Sequence, residues 1–475
     1  MVTVSSPSLF HPIDEVAVRA LRARLQGRLL AHRDPGYDDA RRVFNAMIDR
    51  HPALIARVRS AEDVQRAVLF AREHDLPLSV KGGGHNVAGS AVCEGGLMLD
   101  MSLLKGIQVN PEQRIAMAQP GLILGEVDAA TQAFGLATPL GTASVTGIAG
   151  LTLGGGIGWL NGKHGLACDN VIAADVVTAD GELLRASATE NRDLFWAIRG
   201  GSGNFGVVTS FVYQLHPVGP LLTGSLVFPP ERTREALRFY HEFSKSCPDE
   251  LSTFANLATD SDDRTVMSVA YSWCGPFEAG ERVLRPLRTF GTPVEDVVEV
   301  LEYCLLQQVI DELLPPGRQH YWKTNFLTDL TDEAIDVMLH FAVKRPSPAH
   351  VHSATGSSRA GIALQHMHGA AARVDPAATA FPHRHVHHDF LIVSQWTDPA
   401  DAGRHIAWTR EFFEAMRPFT ERAVYVNGLG VEGEDRVREA YGANYPRLAE
   451  IKTHYDPTNL FRANQNIQPS TQSMC

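Results

Sequence analysis

The chain lacks the features that would tie it to nucleic acid, membrane, disulfides or a bound metal. Of its 475 residues, 43 are Lys or Arg against 54 Asp or Glu, a formal net charge of −11. No basic run of the kind that tracks a phosphate backbone occurs, so nucleic acid is not an expected partner. No apolar run approaches the ~20 residues of a membrane span. The start, Met1 to Pro7, lacks the charged and apolar regions of a signal peptide. A cytoplasmic protein with no membrane partner is the expectation. The six cysteines, Cys93, Cys168, Cys247, Cys274, Cys304 and Cys475, are scattered without a C-x-x-C pair, which fits neither a disulfide framework nor a zinc site. The G-x-x-x-x-G-K-[ST] loop and the G-x-S-x-G elbow are missing, and with them P-loop NTPases and α/β-hydrolases. There are no repeats or low-complexity tracts.

Glycine, in contrast, is plentiful at 40 residues, and its placement is informative. Lys81-Gly82-Gly83-Gly84-His85-Asn86 is poor helix, poor strand and poor core, so something must approach its backbone closely. Successive glycines bare their N–H groups and reach positive φ, as an anion-binding nest requires, while the imidazole adds a nucleophile or ligand. Leu153-Gly154-Gly155-Gly156-Ile157-Gly158-Trp159 is a second cluster. Two such loops point to a long phosphate-bearing cofactor held at two places. Gly201-Ser202-Gly203-Asn204-Phe205-Gly206 matches G-x-G-x-x-G in form, but helix-like Asp193 to Arg199 precedes it and strand-like Val207 to Val212 follows. That order is the reverse of a Rossmann unit, and a plain glycine-rich turn is expected. Pro382-His383-Arg384-His385-Val386-His387-His388, taken as a strand, would set His383, His385 and His387 on one face. Solvated or substrate-facing histidines are expected there rather than a metal site.

With 44% hydrophobic residues the chain is long enough for two domains. Residues 14–50 are charged and helix-friendly, and residues 1–50 read as an N-terminal helical cap. Residues 51–220 mix short strands (Leu54 to Val58, Leu78 to Val80, Leu97 to Asp100, Arg114 to Ala118, Val171 to Thr178) with a helix from Val64 to His74 behind a Ser60 N-cap. A Pro/Gly break at His216 to Pro220 ends this region. Residues 221–421 pair strand-like pieces (Leu226 to Phe228, Thr265 to Trp273, Leu391 to Trp396) with amphipathic helices over Thr233 to Ser244 and Thr331 to Phe341. This pattern predicts an α+β domain with an antiparallel sheet covered by helices. Residues 422–475 form a C-terminal segment.

Taken in order, Lys81 to Asn86, Gly141-Thr142-Ala143-Ser144-Val145-Thr146-Gly147-Ile148-Ala149-Gly150, Gly154 to Gly156 and His164 to Asn170 resemble the FAD-binding domain of the vanillyl-alcohol oxidase superfamily. Tyr425-Val426-Asn427, Tyr441 to Tyr445 and Tyr455 to Ile467 are similar to the C-terminal segment of the berberine-bridge-enzyme-like oxidases. The resemblance implies an α+β fold with a PCMH-type two-part FAD-binding domain, to which residues 422–475 return, and a separate substrate domain. It implies FAD, held by an 8α-histidyl bond from His85. Gly82, Gly83, Gly84, Asn86, Gly141, Thr142, Gly147 and Gly150 would follow the pyrophosphate, and Thr146 would flank the oxygen-facing side. Gly154, Asp169, Asn170, Val208, Tyr425, Asn427 and Asn464 complete the implied cofactor contacts.

Two departures from the family pattern matter. Ala143 stands where many members carry a cysteine bonded to the flavin, so no second cysteinyl link is expected and Cys168 is read as packing. Gly428 stands where several relatives carry a tyrosine base. The catalytic candidates are therefore His388 first, then His366 and His368 on the strand-like Ile362 to His368, together with Tyr425. The implied activity is that of an FAD-dependent oxidase. Hydride would pass from a small organic substrate (an alcohol, sugar, alkaloid or natural-product intermediate) to flavin N5, with dioxygen as acceptor and hydrogen peroxide as product. The alternative is a flavin-containing protein that sequesters a ligand without turnover. Tyr321, Trp322 and Phe326 are expected as core aromatics ahead of pocket lining.

Overall fold

A computed structural model describes residues 13–347 and 358–470. Met1 to Pro7 and Cys475, used above, lie outside the described residues. The first sheet runs β1 (Arg28–Ala31), β2 (Leu54–Arg57), β4 (Leu97–Asp100), β3 (Leu78–Lys81). β2 and β3 both lie parallel to β4. The helix Ala61–Glu73 starts where Ser60 accepts from the Asp63 N–H. The buried Asp63 carboxylate accepts from the N–H groups of Gln26, Gly27 and Arg59 at 2.8–3.0 Å. That carboxylate ties the N-terminal segment to this helix. Residues 13–50 are thus more than a helical cap, because β1 pairs antiparallel with β2 and extends the sheet.

The second sheet is antiparallel and runs β5 (Ile107–Asn110), β6 (Ile115–Ala118), β10 (Val207–Gln214), β8 (Val171–Val177), β9 (Leu183–Ser187). A short ladder of β7 (Leu136–Ala137) with β11 (His216–Pro217) stands beside it. Its core is shared with the chain's end: Val424, Tyr441, Leu448 and Ile467 pack in one cluster with Ala174, Phe205 and Phe211. A fully buried ion pair secures this return. Lys452 Nζ lies 2.6 Å from Asp456 and donates to the carbonyls of Asn204 and Phe461, while Asp456 accepts from the N–H groups of Leu460 and Phe461.

The third sheet has seven antiparallel strands: β12 (Leu221–Phe228), β13 (Leu251–Thr259), β14 (Thr265–Trp273), β15 (Glu295–Leu301), β16 (Gln319–Leu327), β17 (Ser358–Met367) and β18 (His387–Trp396), in the order β15-β12-β14-β13-β17-β18-β16. Helices Thr233–Ser244, Asp332–Val343 and Ala402–Met416 supply buried residues to the core on one face. Strand alternation assigns Ala360, Ile362, Leu364 and His366 of β17, and His388, Phe390, Ile392 and Trp396 of β18, to this covered side, all of them buried. The opposite phase lines a cavity.

This alternation corrects the choice of catalytic histidines. His388 packs near Tyr240 and His241, with ring centroids 5.6 and 6.5 Å away, and stacks on His366, which stacks in turn on His368 at 4.3 Å. None of the three reaches the cavity. Nor do His383, His385 and His387 share a strand face, since β18 begins only at His387. Among the described residues no group of His, Cys, Asp or Glu has metal-holding geometry.

Burial pushes His388 down to about 3 and holds His366, His368 and His387 below the usual histidine range. The folded state therefore keeps these rings neutral while the unfolded chain takes protons below about pH 6.5. Their contribution to stability is expected to be constant above pH 7 and to fall as the pH drops from about 6.5, which urea titrations across pH on wild type and variant would read. His388→Leu should flatten that slope by one proton, about 1.4 kcal/mol per pH unit. At the other core, Asp456→Ala leaves Lys452 buried without its partner, with an expected loss of about 3–5 kcal/mol in the same measurement.

Candidate functional site

A cavity of about 780 Å³ lies between the first two sheets and the open face of the seven-stranded sheet. It is within the upper part of the ~300–1,000 Å³ range of ligand sites. β3 runs straight into the loop Gly82 to Asn86, and all five loop residues line the cavity. Gly83 meets Gly147 backbone to backbone; a Cβ on either would strike the other's main chain. Gly84 has φ +67, a left-handed conformation that turns the chain into His85. The N-terminal segment holds this loop from outside. Lys81 Nζ donates to the carbonyls of Ala40 and Arg42 at 2.7 Å, and the Phe44 N–H donates to Gly84.

Phe44 is sandwiched between two imidazoles, 3.9 Å from His85 and 4.1 Å from His320. Burial pushes His85 down to about 4, and its Nε2 has no hydrogen-bond partner. A neutral imidazole with an unclaimed nitrogen therefore stands in the cavity wall. Gly141, Thr142, Thr146, Gly147, Gly150 and Val208 line the same space, as do Tyr425, Asn427 and Asn464 from the far end of the chain. The glycine-rich turn at Gly201 to Gly206 is flanked by helix Arg192–Ala197 and strand β10 as expected, yet it is not a plain turn. Ser202, Gly203 and Gly206 belong to the wall.

Three expected cofactor contacts do structural work instead. Gly154 lies under Asn427, where a Cβ would collide with the amide. Asp169 is ion-paired to the fully buried Arg384 at 2.6 Å. Asn170 donates to the carbonyls of His164 and Leu166 and contacts His216. Cys168 is buried beside Asp169 and Arg384, and burial raises its thiol far above the ordinary range, which denies it thiolate reactivity. Tyr425 borders the cavity, but its hydroxyl oxygen accepts from the N–H groups of Gly156 and Ile157 and from Asn427, at 2.9, 3.2 and 2.9 Å. Burial pushes it up to about 12. It buttresses the glycine turn rather than exchanging a proton near neutral pH.

The residue that the histidine choice missed is one position further on. Asp389 lines the cavity, buried, accepting from the Thr324 hydroxyl, and burial lifts it to about 6. Gly428 explains why no tyrosine stands beside it: a Cβ there would fall 2.6 Å from Thr324 Cγ2. Trp322 lines the cavity edge-on to Phe44 and His320. Phe326 is core, packed on His383 and His387, and Tyr321 accepts from Arg410. The signal for Asp389 was in the alternation. His366 and His388 continue the apolar phase of their strands, so the polar alternates Gln365 and Asp389 belong to the open face.

The bare glycine backbones, the unpaired His85 nitrogen and the amides of Asn427 and Asn464 suit a flavin dinucleotide. The comparisons with known proteins agree. A family model described as FAD binding domain matches residues 52–187, and one described as berberine and berberine like matches residues 424–468. An FAD-linked oxidoreductase of Dictyostelium discoideum is 31% identical over 430 residues, covering 90% of this chain and 91% of that protein. The (R)-6-hydroxynicotine oxidase of Paenarthrobacter nicotinovorans is 29% identical over 456 residues, covering 94% and 97%. The solved structure of 6-hydroxy-D-nicotine oxidase from Arthrobacter nicotinovorans matches with a TM-score of 0.87 at 28% identity, covering 94% of this chain and 98% of that one. Fold, glycine loops and C-terminal return agree with these relatives, and the chain belongs to the FAD-linked oxidoreductases of the berberine-like, PCMH-type family.

Proposed function

We propose that this enzyme is an oxidase for a small organic substrate, with FAD attached through His85 alone and Asp389 as the group that takes the substrate proton. The observation that carries the proposal is one continuous cavity bordered by both His85 and Asp389. Bound FAD would supply the two-electron acceptor, taking hydride from an alcohol, sugar or amine carbon and yielding hydrogen peroxide with dioxygen.

The chain's own residues divide the remaining work. His85, neutral and stacked on Phe44, presents a nucleophilic nitrogen at a fixed place. The glycine loops lie along the phosphates without side chains in the way. Asn427 is held by its donation to the Leu151 carbonyl at 3.0 Å and borders the cavity. Asp389, at about 6, is mostly ionised at neutral pH and still basic enough to accept a proton as hydride leaves. Trp322 adds an aromatic wall.

Acid denaturation tests the attachment. The expected result is yellow colour in the pellet and a mass increase of one FAD on the His85 peptide. His85→Ala should release the flavin, and Cys168→Ser should leave it attached. Flavin recovered wholly in the supernatant of wild type rejects the bond.

An anaerobic screen of alcohols, sugars and amines for flavin bleaching identifies the substrate, and a flavin that none of them bleaches favours ligand sequestration. With a substrate in hand, the single-turnover rate is expected to rise with pH through about 6 as Asp389 ionises. Asp389→Asn should cost roughly 10²-fold or more and abolish that limb. Thr324→Val, which removes the hydroxyl that favours the carboxylate, should move the limb to higher pH. An unchanged rate and profile in Asp389→Asn would remove it from the chemistry.

A further inference from the structure

We propose that the substrate is elongated and largely apolar and carries a carboxylate at the end remote from the reacting carbon, anchored by Arg359; this rests on the oxidase reading above. The open face of β17 and β18 presents four cross-strand pairs in order: Gln365 with Asp389, Ala363 with Leu391, Gly361 with Val393, and Arg359 with Gln395. All eight side chains or backbones line the cavity. The proposed proton acceptor is at one end of this ladder. Two rungs of small and aliphatic residues follow, and a cation closes it. From residue 365 to residue 359 the strand covers roughly 20 Å at ~3.4 Å per residue.

Among the described residues nothing answers that cation. Among the described residues Arg359 makes no ion pair, and burial lowers its pKa without any acid pulling the other way. The adjoining segment 348–357 contains no Asp or Glu in its sequence. The charged group that feels Arg359 is a second guanidinium, Arg345, whose donors go to Ala342, Leu257, Thr259 and Thr265 rather than to a carboxylate. Besides Asp389, the acids bordering the cavity are Glu299 and Glu312. Glu299 stands on β15, four strand spacings from β17, or roughly 19 Å at ~4.8 Å each. Glu312 makes no ion pair with Arg359.

A structural arginine looks different in this molecule. Arg384, whose side chain is fully buried, is paired with Asp169. A partly buried guanidinium without a carboxylate is costly unless a ligand supplies one, and its planar fork suits a carboxylate in bidentate fashion. The two rungs between the ends are aliphatic, with Asn256 of β13 opposite Ala363 as a polar neighbour, and this stretch suits a largely apolar body.

Isothermal titration of the purified flavoprotein with dodecanoate and with dodecan-1-ol tests the anchor, since the two probes differ only in the charged end. Wild type is expected to bind dodecanoate about tenfold or more tightly than the alcohol. Arg359→Gln should remove that preference while leaving the alcohol's affinity within about twofold, and Arg359→Lys should restore part of it. Should Arg359→Gln fail to fold, Gln395→Glu, which sets a carboxylate opposite an intact Arg359, should abolish the preference in the same way. Equal affinities for both probes in wild type, or a variant that weakens both alike, would overturn the proposal. Bleaching of the flavin is read separately: a flavin that no alcohol, sugar or amine reduces overturns the oxidase reading and leaves the anion preference standing.

Discussion

The contact on which the site depends is the meeting of Gly83 and Gly147 without side chains between them. Two loops from different parts of the sequence, one leaving β3 and one entering the helix Ile148–Leu153, close to backbone distance there. Any Cβ would force them apart. That approach brings the bare amides of both loops to one cavity wall and fixes where His85 emerges. The Phe44 sandwich and the two carbonyls gripping Lys81 then fix its orientation from the N-terminal side. Residues 40–44 are therefore part of the site's framework.

Much of this was legible in the sequence because local chemistry decided it. The run of glycines ending in His85 has no use in a core, and its loop lines the cavity. Thr265–Trp273 and Thr233–Ser244 have the bounds that their periodicity predicts. What failed was the choice of residue within one strand. His388 is preferred for its side-chain chemistry, with no face of the strand assigned to it, whereas the ladder starts at His387. A strand's side chains alternate, so neighbouring residues lie on opposite faces. His388 falls on the covered face and Asp389 on the open one. Asp169 and Asn170 were misread for another reason. Their partners, Arg384 and His216, are distant in sequence, and only the folded chain shows that their polar groups are already satisfied.

The C-terminal return has a separate logic. Asn427 and Tyr425 border the cavity only because the chain is brought back over the second sheet, and Lys452 with Asp456 holds it there at the turn that carries Asn204. An ion pair removed so fully from water contributes little net stability against an apolar equivalent, but it tolerates few alternative geometries. Its hydrogen bonds to Asn204, Leu460 and Phe461 specify one register of the final helix against the Gly201 to Gly206 turn. That same turn borders the cavity through Ser202 and Gly203. Stability of the core and shape of the site are thereby set by one group of contacts.

The substrate face is tied to the cofactor face by a comparable device. The segment between β15 and β16 lines the cavity through Leu306, Val309 and Leu313, and it is fastened to the flavin side at two points. Ser144 donates to Asp311 from both its hydroxyl and its N–H, and its N–H also reaches the Gln307 carbonyl. Gln307 donates in turn to Asp128, a carboxyl that burial lifts to about 8 and so keeps protonated at neutral pH. A protonated acid can both donate and accept, so it holds a glutamine without leaving a charge in the core. Ser144 belongs to the same run as Thr142, Thr146 and Gly147, which line the cavity. A shift of this segment would therefore act on the glycine-rich loops through three hydrogen bonds of Ser144.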